Sequence, residues 1–193
     1  MKILTIRYKS TNYYLIDTGK GLLAFDAGWP DTYREYKELL KAHKYKISDI
    51  KWLIVSHFHI DHAGLAGLLA DKEVQFFVFK NQLYGIEEME TLIAKKGMPY
   101  HKLDLRKISV ADISESRSIL MSMGISGEVV QTNGHGEQSI TLLLDSGEAF
   151  IGDLPPENMI GADDNASIIN WQILKSMGAR IIKPAHADEY IIN

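Results

Sequence analysis

The chain has 193 residues, 46% of them hydrophobic, a formal net charge of -4 and no cysteine. That length suits one sizeable core and is short for two, so a single domain over residues 1–193 is expected. No concentration of Lys and Arg offers a footprint for nucleic acid or an anionic membrane, no apolar run reaches the roughly 18 residues of a membrane span, and any metal must be held by nitrogen and oxygen; a soluble, cytoplasmic protein acting on a small molecule is expected.

Three short strands open the chain, Lys2 to Tyr8, Tyr13 to Asp17 and Leu22 to Asp26, separated by the turn signals Lys9-Ser10-Thr11-Asn12 and Gly19-Lys20-Gly21. Pro30 suits an early helical position, and Tyr33, Tyr36, Leu39, Leu40 and His43 recur at helical spacing beyond it. Trp52 to Val55 is an apolar run typical of a buried strand, and Ala63 to Ala70 reads as a helix soon after it. Gln75 to Phe79 predicts a strand, and Ile86 to Lys96 a helix stopped by Gly97 and Pro99. Ser114 to Met123 predicts a helix closed by Gly124, followed by strands at Glu128 to Thr132, Ser139 to Asp145 and Ala149 to Ile151. The helix Asn165 to Met177 then leads to a strand, Arg180 to Lys183, just ahead of Pro184. Strand blocks followed by helices in each half point to an α+β fold, two sheets face to face with helices outside: a four-layer αββα sandwich.

Between the Trp52 strand and the next helix lies His57-Phe58-His59-Ile60-Asp61-His62. In an extended segment His57, His59 and Asp61 point the same way, and His62, where the backbone turns into a helix, faces a neighbouring position. One short loop can thus supply ligands to two metals, although imidazole and carboxylate donors from elsewhere must complete the shells. Three strand ends offer them: Gly134-His135-Gly136, Gly152-Asp153 and Pro184-Ala185-His186. A carboxylate such as Asp153 can bridge two cations and reduce their repulsion.

The HxHxDH arrangement of His57, His59, Asp61 and His62, followed in order by His135, Asp153 and His186, resembles the signature of the metallo-β-lactamase superfamily. The resemblance implies that His57, His59 and His135 hold one metal, that Asp61, His62 and His186 hold the other, and that Asp153 bridges them together with a hydroxide. Asp26-Ala27-Gly28 resembles a family motif whose acid supports the site without binding metal. Asn133 and Gly136 depart from the Pro and Thr frequent in the family, and His59 stands where flavodiiron-type relatives carry Glu, which favours zinc over a redox di-iron pair while leaving iron or manganese open. With the sequence ending at Asn193, the helical substrate domain of glyoxalase II-type relatives is not expected.

Other polar residues read more blandly. His43 and His101 lack convergent partners, and Glu87-Glu88 and Asp163-Asp164 are solvated acids. The segment Asn81 to Tyr100, interrupted by Gly-Met-Pro, is the expected substrate-shaping lid. The expected activity is hydrolysis of an ester, lactone or thioester by a metal-bridging hydroxide, with Asp61 and Asp153 as catalytic residues and two divalent ions, zinc first, as cofactors. A phosphodiesterase, an iron-dependent oxidoreductase and a metal-binding module without turnover are the competing readings.

Overall fold

Alternate residues of most strands enter different cores, and this alternation generates the layers seen in the computed structural model, which describes residues 1–192. The first sheet comprises β1 (Lys2–Tyr8), β2 (Thr11–Asp17), β3 (Leu22–Phe25), β4 (Ile50–Ile54), β5 (Gln75–Phe79) and β6 (Ile108–Ala111), in sequence order. Its pairings are antiparallel from β1 to β3 and parallel from β3 to β6. Each parallel step needs a crossover. These carry α1 (Tyr33–Ala42), the short pair α2 (Ile60–Ala63) and α3 (Ala66–Asp71), and α4 (Leu83–Lys95).

After α5 (Ser116–Met123), the second sheet is built from β7 (Gly127–Gln131), β8 (Ile140–Leu144), β9 (Glu148–Gly152), β10 (Ile181–Pro184) and β11 (Tyr190–Ile191), with α6 (Asn165–Ser176) crossing between β9 and β10. Its order is β11-β10-β9-β8-β7, and only β9 and β10 run parallel.

Three cores follow. Tyr13, Leu15, Leu53, Val55, Phe76 and Val78 face outward against α1, α3 and α4. Tyr14, Ile16, Phe25, Ile54 and Phe79 face inward and meet Ile140, Leu142, Leu144 and Phe150 of the second sheet. Leu143, Ala149, Ile151 and Ile182, on that sheet's far face, pack on Trp171 and Leu174 of α6. Each sheet has apolar contacts on both faces, which is why these strands read as nearly continuous apolar runs. The layering is the expected αββα.

Several boundaries differ from the sequence reading. β2 begins at Thr11, so the first hairpin turns on Lys9 and Ser10 alone, with Lys9 at φ 55°. The helix expected over 63–70 starts earlier, at Ile60, and breaks at Gly64 and Leu65. A β-carbon on Gly64 would come within 2.3 Å of the Pro30 nitrogen, so the break carries a backbone contact that only glycine admits. Asp61 therefore sits in a helical turn, and the extended geometry expected from His57 through Asp61 ends at His59. Helix α1 begins at Tyr33, past Pro30. The strands β6 and β11 lie outside the sequence reading: one has Val110 exposed at a sheet edge, and the other is two residues long.

The segment Asn81 to Tyr100 packs as a helix on the first sheet, and Gly85 at its start lies against Gln138, whose Oε1 accepts from Phe58 N in the ligand loop. Its helix α4 buries Ile86, Met89 and Ile93 in the first core, and no residue of the segment lines the cavity beside His135, Asp153 and His186. Among the described residues, no helix is long and apolar enough to cross a membrane.

Candidate metal centre

The seven residues singled out by sequence converge where carboxyl ends of strands from both sheets meet. Asp26 follows β3, His57 to His62 follow β4, His135 lies between β7 and β8, Asp153 follows β9 and His186 follows β10. Open parallel arrangements expose a crevice at such ends. The sheets are joined there directly: Ile140 N donates to the Ser56 carbonyl at 2.9 Å, and Asn12 N donates to the Ala185 carbonyl at 2.7 Å.

The side chains form two groups. His57, His59, His135 and Asp153 each offer an atom within 4.8 Å of the others, and Asp61, His62 and His186 do the same. Asp153 faces both. Its Oδ2 lies 3.6 Å from His57 Nε2 and 3.6 Å from His135 Nε2, while its Oδ1 lies 3.2 Å from His62 Nε2 and 3.1 Å from His186 Nε2. Asp61 Oδ2 adds contacts of 3.5 Å to His62 Nε2 and 3.4 Å to His186 Nε2, and His59 Nδ1 stands 3.3 Å from His135 Nε2.

These separations can be tested against a cation. Donors at about 2.0–2.1 Å from a tetrahedral ion stand about 3.3–3.4 Å from one another. The observed 3.1–3.6 Å edges bracket that value in both groups. Among the described residues, His57 Nε2, His62 Nε2 and Asp153 Oδ1 are buried without a hydrogen-bond partner, an arrangement that is costly unless something charged fills the space between them. The donor set fits two divalent cations.

A supporting layer fixes the rings. Asp26, 1% exposed, accepts from Ser56 N at 2.7 Å and Ser56 Oγ at 3.0 Å, and its Oδ2 lies 2.8 Å from His62 Nδ1. With the His62 proton held at Nδ1, Nε2 is left as a lone-pair donor to the site. His186 Nδ1 donates to the Ser10 carbonyl at 2.9 Å, which frees its Nε2 in the same way. Thr11 Oγ1 donates to Asp61 Oδ2 at 2.9 Å. Asp26 achieves this at φ 69°, a left-handed backbone that Asp and Asn adopt more readily than other side chains.

Electrostatics separates the two groups. Burial holds His57 well below the ordinary imidazole range, and burial likewise lowers His59 and His135. For His62 burial also opposes the charge, but the Asp26 and Asp153 carboxylates overcome it and raise its pKa. Contact with Asp153 raises His186. Burial pushes Asp153 upward, yet the adjoining His186 and His62 rings hold it far below the usual carboxylate range.

All the predicted ligands meet, and Asp26 occupies its expected supporting place. Sequence reasoning missed Thr11, Asn12 and Ser56. Asn12 Nδ2 donates to the Pro184 and Ala187 carbonyls at 3.0 and 2.8 Å, and Tyr14 OH donates to the Pro184 carbonyl at 2.8 Å, so β2 grips the segment presenting His186. A polar Thr-Asn pair heading the apolar run Tyr-Tyr-Leu-Ile is the available signal, although by residue type alone it reads as a turn.

Comparison with known proteins is consistent with this geometry. Residues 7–74 match the model of the metallo-beta-lactamase superfamily. The chain is 32% identical over 165 residues to "Probable metallo-hydrolase YqjP" of Bacillus subtilis strain 168, a match covering 73% of this chain and 51% of that protein. It thus spans about half of that relative's length. Among solved structures, a metallo-beta-lactamase family protein, TTHA1429 from Thermus thermophilus, superposes with a TM-score of 0.73 at 17% identity over 98% of this chain and 74% of its own. The FEZ-1 metallo-beta-lactamase of Legionella gormanii gives 0.72 at 20% identity over 96% and 76%. TTHA1623 in a di-iron-bound form gives 0.73 at 19% identity over 99% and 94%.

Proposed function

The chain belongs to the metallo-β-lactamase superfamily, and on that premise we propose that it is a dinuclear metal-dependent hydrolase, most readily zinc-loaded, acting on a small ester, lactone or thioester. One observation carries the proposal: Asp153 turns one carboxylate oxygen to the His57/His135 side and the other to the His62/His186 side. Two divalent cations held there would supply a water of pKa about 7 and a Lewis acid for the scissile carbonyl. In the first position His57 and His135 would bind through Nε2 and His59 through Nδ1; in the second, Asp61, His62 and His186 would bind.

The chain's own groups do the rest. Asp61 takes up the proton of the attacking water, while Thr11 steadies its Oδ2. Asp26 keeps His62 in the tautomer that leaves Nε2 free. The adjoining cavity, about 320 Å³, has no Lys or Arg among its described lining residues, which include Leu154, Pro156, Met159 and Ala187. The apolar part of this lining suits an acyl compound, whereas nothing in it besides the proposed cations would hold a phosphodiester.

The di-iron-bound form of TTHA1623 favours a second reading for the metal, iron in the same ligands, with oxidative chemistry. Metal analysis with an absorption spectrum separates the two, because zinc is colourless and redox-silent. Two zinc ions per chain, with ester hydrolysis lost on chelation and restored by zinc, would support the hydrolase. Asp61→Ala or Asp153→Ala with unchanged metal content and turnover would refute the assignment.

A further inference from the structure

Beside the metal centre the surface continues as a groove whose walls are anchored. The site cavity shares Pro156, Met159 and Ala187 with a second cavity of about 530 Å³ that runs on to Tyr190 and Ile192. One wall is the turn Glu157–Met159, held to α6: Trp171 Nε1 donates to the Pro155 carbonyl at 2.8 Å, and Lys175 Nζ pairs with Glu157 Oε2 at 2.7 Å. The other is the segment after His186, held by Asn12 through the Ala187 carbonyl. The groove starts beside the predicted ligands and is lined mainly by Pro156, Met159, Ala187, Tyr190 and Ile192, with Glu157 and Asn158 as the polar residues of its distal part.

Charge points to the same occupant. Among the described residues, Glu157 is the one charged residue lining the distal cavity, and Lys175 already neutralises it. Met159, 74% exposed, stands at the junction of the two cavities, where an unbranched and polarisable side chain can adapt to an aliphatic chain. Met159 lines both cavities, together with Pro156 and Ala187, so its exposed surface belongs to a continuous apolar lining that starts beside the predicted ligands.

Resting on the hydrolase reading above, we propose that the substrate carries an unbranched apolar chain on one side of the scissile ester, and that this chain lies along the groove past Met159 toward Tyr190. Selectivity for chain length then arises in this groove. Each methylene taken from water contributes a factor of up to about four in affinity until the groove is filled.

The test uses zinc-loaded protein and two readouts. Equilibrium binding of acetate, butyrate, hexanoate and octanoate is measured by calorimetry. Hydrolysis is measured with acyl esters of a single chromogenic alcohol from acetate to octanoate, and with acetate esters of alcohols of increasing length. Affinity rising about two- to fourfold per methylene, with kcat/KM rising along either ester series, is the expected result. Met159→Asp should flatten these dependences, so that octanoate loses about tenfold or more in affinity relative to acetate measured on the same variant. Ile169→Asp, an exposed position on α6 outside both cavity linings, should leave the dependences intact. Equal affinities and equal rates at every chain length would overturn the groove but leave ester hydrolysis standing. Chain-length-dependent binding without cleavage of any ester would uphold the groove and refute the ester reading.

Discussion

Replacing Asp26 by Asn changes one atom of a side chain that sits outside the proposed metal ligands, and its consequence can be worked out from the contacts. Asn tolerates the φ of 69° at this position better than most residues, so backbone strain is not added. Its carbonyl can still accept from Ser56 N, as Asp26 Oδ1 does at 2.7 Å. Its amide then points a donor at Ser56 Oγ and at His62 Nδ1, where Asp26 Oδ2 had accepted at 3.0 and 2.8 Å. The imidazole answers by moving its proton to Nε2, the nitrogen that faces Asp153 and Asp61. A protonated Nε2 cannot bind a cation. Loss of such an orienting partner costs about 10- to 100-fold in metal affinity, equivalent to about 1.4–2.7 kcal/mol. Competition titration with a chelator should therefore show the second binding step weakened by that factor and the first nearly unchanged, with kcat/KM falling in parallel. Two metals bound by Asp26→Asn at wild-type affinity would refute the orienting role.

Other predictions follow from the same geometry. His57, His59 and His135 are lowered by burial, whereas His62 and His186 are raised, so the second group holds its protons to higher pH and a cation there competes with them more strongly. Lowering the pH from about 8 to 6 should weaken the second metal more steeply than the first, with proton release visible as a buffer-dependent calorimetric heat; equal pH slopes for both steps would contradict this. Thr11→Val keeps the shape but removes the donor to Asp61 Oδ2, and should cost about 1–2 kcal/mol in denaturant unfolding and about tenfold in kcat/KM, with Thr11→Ser restoring both. Gly152→Ala places a β-carbon 2.6 Å from Ser56 Cβ at a φ of 55°, so a loss of about 2–4 kcal/mol is expected, together with lower metal content because Asp153 is displaced. Unfolding curves and metal analysis on the same preparation check both effects.

The chemistry of the centre is legible in the chain itself, because His57, His59, Asp61 and His62 are neighbours in sequence and their donor types declare a cation site without any knowledge of packing. His135, Asp153 and His186 can be placed at strand ends because apolar runs stop just before them. The sandwich is legible for a related reason: strands buried on both faces must read as apolar runs, and helices with one apolar face must lie outside them. Tertiary structure alone decides what depends on contacts between distant segments. The grip of Asn12 and Tyr14 on Pro184 joins residues 172 and 170 positions apart, and it depends on a hairpin register that the sequence pattern places late, at Tyr13 instead of Thr11. The orientation of Asp153 between the two groups depends on how two sheets meet. The same holds for the wall of the site cavity, which is built by the turn before α6 and the segment after His186, places the sequence does not mark. Donor chemistry and side-chain period are local properties that a sequence carries residue by residue, whereas register, orientation and cavity walls are set by packing across the whole chain.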